Sequence, residues 1–270
     1  MRVLFFGDVF GRPGRQAVKM AILKLKREYT PDFIIVNGEN AANGKGITPK
    51  VVQEFLDMEV DAITTGNHAW DQQEGLECFT KHKFVLRPAN YPDDAPVPGS
   101  GAVILTSKHN PSMKLGLILL MGRVFMDPLD CPFSRGKKEI QKMKDQGIKS
   151  IFVDFHAEAS SEKQAFAYYV EGEVSAVVGT HSHVQTADEK VLPKGTAIIT
   201  DVGMSGCFDS VIGVKKEIAI KKFVSKMPAR FEPAEGPGGY GAVIIDIDDK
   251  TGKATSIRRF REEIIQWEGL

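Results

Sequence analysis

Two histidines stand two residues apart in the stretch Gly179-Thr180-His181-Ser182-His183, directly after the apolar run Ser175 to Val178. In an extended backbone, residues i and i+2 project to the same side, so both imidazoles can reach one point in space. Four other apolar runs also end in residues suited to binding metal: Asp8, Glu39, Asn67 and His156. Five strand ends that deliver carboxylate, amide and imidazole to one place describe a metal centre. The donors are oxygen and imidazole without sulfur, which suits manganese, iron or zinc. Two carboxylates, an amide and three imidazoles exceed what one tetrahedral ion needs. Two ions roughly 3.5–4 Å apart fit the count better. Glu39 is then the candidate bridge, because Gly38 permits close approach.

Positioning those donors is the task of the elements around them. Arg2 to Phe6 and Asp32 to Val36 are continuous apolar runs, the pattern of strands covered on both faces. Asp61 to Thr65, Ser150 to Asp154, Ser175 to Val178 and Thr196 to Thr200 read as further strands. A glycine- and proline-rich turn at Gly7 to Gly14 precedes a helix predicted over Arg15 to Glu28. Other helices are expected from Pro49 to about Met58, over Arg135 to Gln146, Ser161 to Tyr169 and Lys215 to Lys226. Phe84 to Leu86 reads as a short strand before the proline-rich loop Arg87 to Gly101. Gly101 to Thr106 with Leu115 to Met121, and Gly241 to Asp246 with Ala254 to Phe260, read as antiparallel hairpins. The first third alternates β and α strictly, and hairpins are added later. The expected fold is α/β: two mixed β-sheets packed as a sandwich flanked by helices, in one domain spanning 1–270. Ligands collect at the carboxyl ends of strands in such sheets, where all the candidate donors lie.

The totals narrow the function classes. Thirty-five basic and 35 acidic residues give a formal net charge of +0, so no global field favours nucleic acid or a membrane surface. Three scattered cysteines, Cys78, Cys131 and Cys207, fit a reducing compartment and exclude a Cys-x-x-Cys zinc site. The longest apolar stretch, Leu115 to Met121, is too short to span a bilayer. With no signal-peptide layout at the start, the expectation is a cytoplasmic protein with no membrane partner and no stable nucleic-acid complex.

The ordered set Gly7-Asp8, Gly38-Glu39-Asn40, Gly66-Asn67-His68, a lone His156 and Gly179-Thr-His-Ser-His183 resembles the motifs of the calcineurin-like metallophosphoesterases. The strings Phe6-Gly-Asp-Val-Phe-Gly11, Asn37-Gly-Glu-Asn-Ala41, Gly66-Asn-His-Ala-Trp70 and Thr200-Asp-Val-Gly-Met204 are similar to the YmdB-like branch, bacterial 2′,3′-cyclic nucleotide phosphodiesterases. This resemblance implies a metallophosphoesterase-like fold and two divalent or trivalent ions, iron or manganese first, zinc or magnesium as alternatives. It implies that Asp8, Asn40 and His183 hold one ion, that Asn67, His156 and His181 hold the other, and that Glu39 bridges. It makes His68 the acid near the leaving oxygen. The implied chemistry is attack on phosphorus by a metal-activated hydroxide, opening a cyclic nucleotide to a nucleoside monophosphate. It also suggests a homo-oligomer. Three positions depart from the broad superfamily. Phe10 stands where a ligand histidine is usual, a role Asn40 would fill. Glu39 replaces an aspartate. Ala69 replaces the acid after Gly-Asn-His, leaving Asp71 as the nearest carboxylate.

Other readings compete at single positions. Asp8 could cap a helix, Asn67 could serve a left-handed turn, and His156 could be plain structure. His82 and His109 read as surface. Arg12 could touch a substrate phosphate. Lys215 to Lys226 could attract RNA, though a solvated helix face suits it better. Asp154 or Asp201 could support a ligand histidine. For the whole protein, the alternatives are a phosphomonoesterase on nucleotides or phosphoproteins and a non-catalytic nucleotide-binding regulator.

Overall fold

A computed structural model describes residues 1–94 and 96–264. The chain runs β1 (Arg2–Phe6), α1 (Gly11–Tyr29), β2 (Phe33–Asn37), α2 (Pro49–Asp57), β3 (Ala62–Thr64), a 3-10 turn (Gln73–Gly75) and α3 (Leu76–Lys81). It continues through β4 (Ala102–Thr106), β5 (Lys114–Met121), α4 (Pro132–Asp145), β6 (Ile151–His156), α5 (Ser160–Tyr169), β7 (Ala176–Thr180) and β8 (Lys190–Val191). The last elements are β9 (Ala197–Ile199), β10 (Gly206–Cys207), α6 (Lys216–Ser225), β11 (Gly238–Ile247) and β12 (Ala254–Glu263).

One sheet has the order β10-β11-β1-β2-β3 with β12 paired to β11; the other has β4-β5-β6-β7-β9-β8. Each has a parallel stretch, β1-β2-β3 and β5-β6-β7-β9; the second sheet has an antiparallel strand at both edges, the first only on the side of β11, with β3 a parallel edge. Alternation along each strand builds the layers. From β1, Val3 and Phe5 face the other sheet, where they meet Leu117, Leu119, Phe152 and Val178. The Phe5 and Phe152 rings stack 5.4 Å apart across this interface. Leu4 and Phe6 turn the opposite way, onto Val18, Ile22 and Leu25 of α1 and Phe55 of α2. The outer face of the second sheet is covered by Ile140 and Met143 of α4 and Phe166 of α5. Residues buried on both faces explain why these strands are unbroken apolar runs. The expected two-sheet sandwich flanked by helices is the observed one.

Two local expectations change, and two short strands are added to those expected. Helix α1 starts at Gly11 rather than Arg15. Gly11 to Gly14, the second half of the stretch read as a turn, form its first turn, where the missing N–H of Pro13 costs no hydrogen bond. Gly14 is required there, because a Cβ would stand 2.1 Å from the Ser205 carbonyl oxygen. Phe84 to Leu86 forms no strand; it makes only single bridges, Ile63 with Val85 and Leu86 with Ser100. The two-residue strands β8 and β10 carried no periodic signal, since a pair of residues has no alternation to read.

Candidate metal centre

The first three strands and the sixth and seventh present their carboxyl ends to one another across the two sheets. Asp8 lies two residues past β1, Glu39 two past β2 and Asn67 three past β3. His156 is the last residue of β6, and His181 follows β7 directly. Asp8, Glu39, Asn40 and His156 are all buried. Glu39, His156 and His181 form one group whose ligand atoms lie within 4.8 Å of one another, and Asp8, Glu39 and His183 form a second. Glu39 belongs to both.

The convergence of the histidine pair has a different cause from the one expected. Strand β7 ends at Thr180, and both His181 (φ 98°) and His183 (φ 65°) are in the left-handed region. Extended alternation therefore does not aim these rings, and they enter two groups rather than one. A tight turn aims them, held by two buried carboxylates. The His181 N–H donates to Asp8 Oδ2 at 3.1 Å, and the Ser182 N–H (3.1 Å) and Oγ (2.7 Å) both donate to Asp201 Oδ2. Asp201 also takes a bond from the buried Lys163 Nζ at 2.7 Å and one from the Gly203 N–H. Left-handed non-glycine residues persist where the surroundings over-determine them.

Hydrogen bonds behind the ligands set which ring nitrogens face inward. Thr180 Oγ1 donates to Asp154 Oδ1 at 2.7 Å and so accepts from His156 Nδ1 at 2.9 Å. This assigns the proton of neutral His156 to Nδ1 and leaves a lone pair on Nε2. His156 Nε2 then lies 2.9 Å from Asn67 Oδ1, 3.2 Å from Glu39 Oε1 and 3.1 Å from His181 Nδ1. His181 turns its other nitrogen to Glu158 at 3.0 Å. His183 donates from Nδ1 to the Ile212 carbonyl at 2.8 Å, which leaves Nε2 free.

Four lone-pair donors crowding one point repel unless a proton or a cation lies among them. The local field favours positive charge. Burial opposes protonation of His156, yet Glu39, Asp8 and Asp154 pull its pKa well above the usual imidazole range. Burial tends to raise Glu39, but His156, His68 and His181 outweigh it and hold the carboxyl below its ordinary value. Burial and the neighbouring His156 push His181 down to about 3, so its inward nitrogen keeps its lone pair. Asn40 adds a second sign. Its Nδ2 donates to the Gly44 carbonyl, while its buried Oδ1 has no partner. A buried acceptor left without a donor is costly unless a cation satisfies it. The donor set therefore fits a pair of cations.

His68 stands at the rim, partly exposed. Its N–H donates to Glu39 Oε2 at 3.2 Å, and its ring Nδ1 lies 3.0 Å from Asp71 Oδ2. Asp71 thus supplies the orientation that Ala69 cannot. Of the two carboxylates read as candidate supports for a ligand histidine, Asp154 holds His156 through Thr180, and Asp201 holds the histidine turn. Sequence reasoning missed Thr180 and Glu158. Thr180 sat inside the quoted motif, but only its pairing with Asp154 marks it. Glu158 sits two residues past His156, a spacing without a distinctive signal.

Two mixed sheets in a sandwich, with carboxylate, amide and imidazole donors gathered at their carboxyl ends, define a protein of the metallophosphoesterase-like class. Within that class the chain belongs to the YmdB-like protein family, whose model matches residues 4–260. It is 48% identical over 259 residues to the 2′,3′-cyclic-nucleotide 2′-phosphodiesterase of Bacillus subtilis strain 168, covering 96% of each chain. Among solved structures, a novel phosphatase from Mycoplasma pneumoniae superposes with a TM-score of 0.90 at 34% identity, covering 97% of this chain and 93% of the other. A hypothetical protein from Thermus thermophilus gives 0.89 at 39% identity, covering 97% and 99%.

Proposed function

We propose that the chain is a dinuclear metal-dependent phosphodiesterase that opens 2′,3′-cyclic nucleotides to nucleoside monophosphates. One observation carries this reading: two donor groups share the single carboxylate Glu39, in a chain 48% identical to the 2′,3′-cyclic-nucleotide 2′-phosphodiesterase of Bacillus subtilis. Asp8, Asn40 and His183 would hold one cation, Asn67, His156 and His181 the other, with Glu39 between them. Cations held there would lower the pKa of a water and neutralise phosphate oxygens; iron or manganese would suit the donors best.

The remaining steps belong to the chain itself. Water attacks phosphorus in line with the departing ribose oxygen. His68, oriented by Asp71 and tethered through its N–H to Glu39, delivers a proton to that oxygen as the P–O bond breaks. Such proton transfer is worth about 10²–10⁴-fold. The substrate proposed is a small phosphate ester and the site of action proposed is the cytoplasm; no helix among the described residues is long and apolar enough to cross a membrane.

Protein stripped of metal and reloaded with manganese or iron is expected to hydrolyse 2′,3′-cyclic AMP. Absence of turnover with every phosphodiester would sink the reading, and faster turnover of monoesters would replace it with a phosphatase. His68→Ala is expected to retain both ions and lose at least about 100-fold in kcat. Loss of metal instead would make His68 a ligand.

A further inference from the structure

A cavity of about 270 Å³ opens beside the metal centre, and the two share a wall, His183. Met204, Phe208, Ile212 and Arg261 supply much of the remaining lining. The Arg261 guanidinium lies over the Phe208 ring, 4.3 Å from its centroid. Ile212 links the two sites mechanically. It lines the cavity while its carbonyl takes the Nδ1–H of His183. Ile212 also has φ 48°, a conformation rare for a β-branched residue and one that the surrounding structure must enforce. Apart from His183, none of these side chains has a part in the hydrolysis described above.

We propose that this cavity seats the nucleobase of the substrate, with Phe208 and Arg261 as its stacking surface. The proposal rests on the reading of the centre as a phosphodiesterase site and deepens it. His183 borders both the centre and the cavity, so a group bonded to a phosphate held at the centre lies within reach of the cavity. The cavity wall carries an aromatic face, a planar cation and a thioether, and none of the lining side chains is acidic. Such a surface favours a flat, electron-rich heterocycle. The volume lies just under the usual range for whole small-molecule sites and suits a single ring system. Stacking accepts any base because every base has a π-face, so the preference among bases is modest and follows ring area, purines ahead of pyrimidines.

Phe208→Ala and Arg261→Ala test this on metal-loaded enzyme with two substrates. One is 2′,3′-cyclic AMP; the other is ethylene phosphate, which keeps the five-membered cyclic diester and has no base. The kcat/KM ratio of the first over the second is expected to fall about tenfold in each variant, through KM for cyclic AMP. Phe208→Tyr is expected to restore the ratio. Arg261 is exposed, so its variant is informative even where Phe208→Ala fails to fold. An unchanged ratio overturns the base site and leaves the phosphodiesterase reading standing. If wild type hydrolyses neither diester, that reading falls instead, and equilibrium dialysis of adenosine decides the cavity. Binding by wild type that both variants lose supports it; equal or absent binding overturns it.

Discussion

At the scale of single residues, the centre depends on side chains that never touch a ligand. Thr180 holds His156 and is itself held by Asp154, whose pKa burial raises to about 6 despite His156, Thr64 and Thr180. Thr180→Val keeps the shape and removes both bonds. Metal affinity is expected to fall about 10–100-fold, read by competition with a chelating dye; unchanged affinity would show that packing alone orients His156. The cysteines give a test independent of the centre. Backbone N–H bonding from Ser134 at the start of α4 lowers the Cys131 pKa against the opposing effect of burial. Burial raises Cys207, and it pushes Cys78 up to about 11. The thiolate is the reactive form. Alkylation of Cys131 should therefore rise at lower pH than that of a free thiol, while Cys78 and Cys207 should label only at higher pH or after unfolding. Mass spectrometry of iodoacetamide-treated protein across a pH series checks the order.

At the scale of elements, close approach of backbones brings the strand ends together. A Cβ on Gly179 would stand 1.8 Å from the Thr200 carbonyl oxygen, and one on Gly7 would stand 1.8 Å from that of Gly203. These glycines let β7 lie against the segment after β9, and β1 against the turn at Gly203. Both clashes are with backbone, so no rotamer change relieves them. Gly179→Ala is expected to cost at least about 2 kcal/mol, roughly 5 °C in Tm for a chain of this size. It should also loosen metal, because the displaced residue leads into the His181–His183 turn. A melting curve equal to wild type would mean that the strands can part without penalty. The positive φ values of that turn make the same point. A strand that simply continued past Thr180 would have sent both rings to one side and offered one binding group where the structure offers two.

At the scale of the whole molecule, the centre joins the two sheets. Its donors come from β1, β2 and β3 on one side and from β6 and β7 on the other. Cations bound there, as proposed, would tie the layers together where the apolar interface between them ends. Ions present at about 100 times their dissociation constants add about 2.7 kcal/mol per site. Chelation should lower Tm by several degrees, and Glu39→Gln should abolish most of that difference because both groups share Glu39. A Tm indifferent to metal in wild type would mean that the donors do not close on cations across the sheets. Much of this was legible in the amino-acid order. Runs buried on both faces, broken by turn residues, specify parallel strands. A donor just past each run specifies a site, because strand ends are where backbone direction changes and side chains are released from the sheet. What sequence could not decide was which donors pair. That depends on how far each chain runs beyond its last strand bond and on turns set by Asp8 and Asp201, more than 170 and nearly 20 residues from the amides they hold. Thr180 between Asp154 and His156, Asp71 beside His68, and the cavity shared by Phe208 and Arg261 are all contacts between segments or around a turn. Local periodicity carries no information about such contacts; only the packed chain brings them within bonding distance.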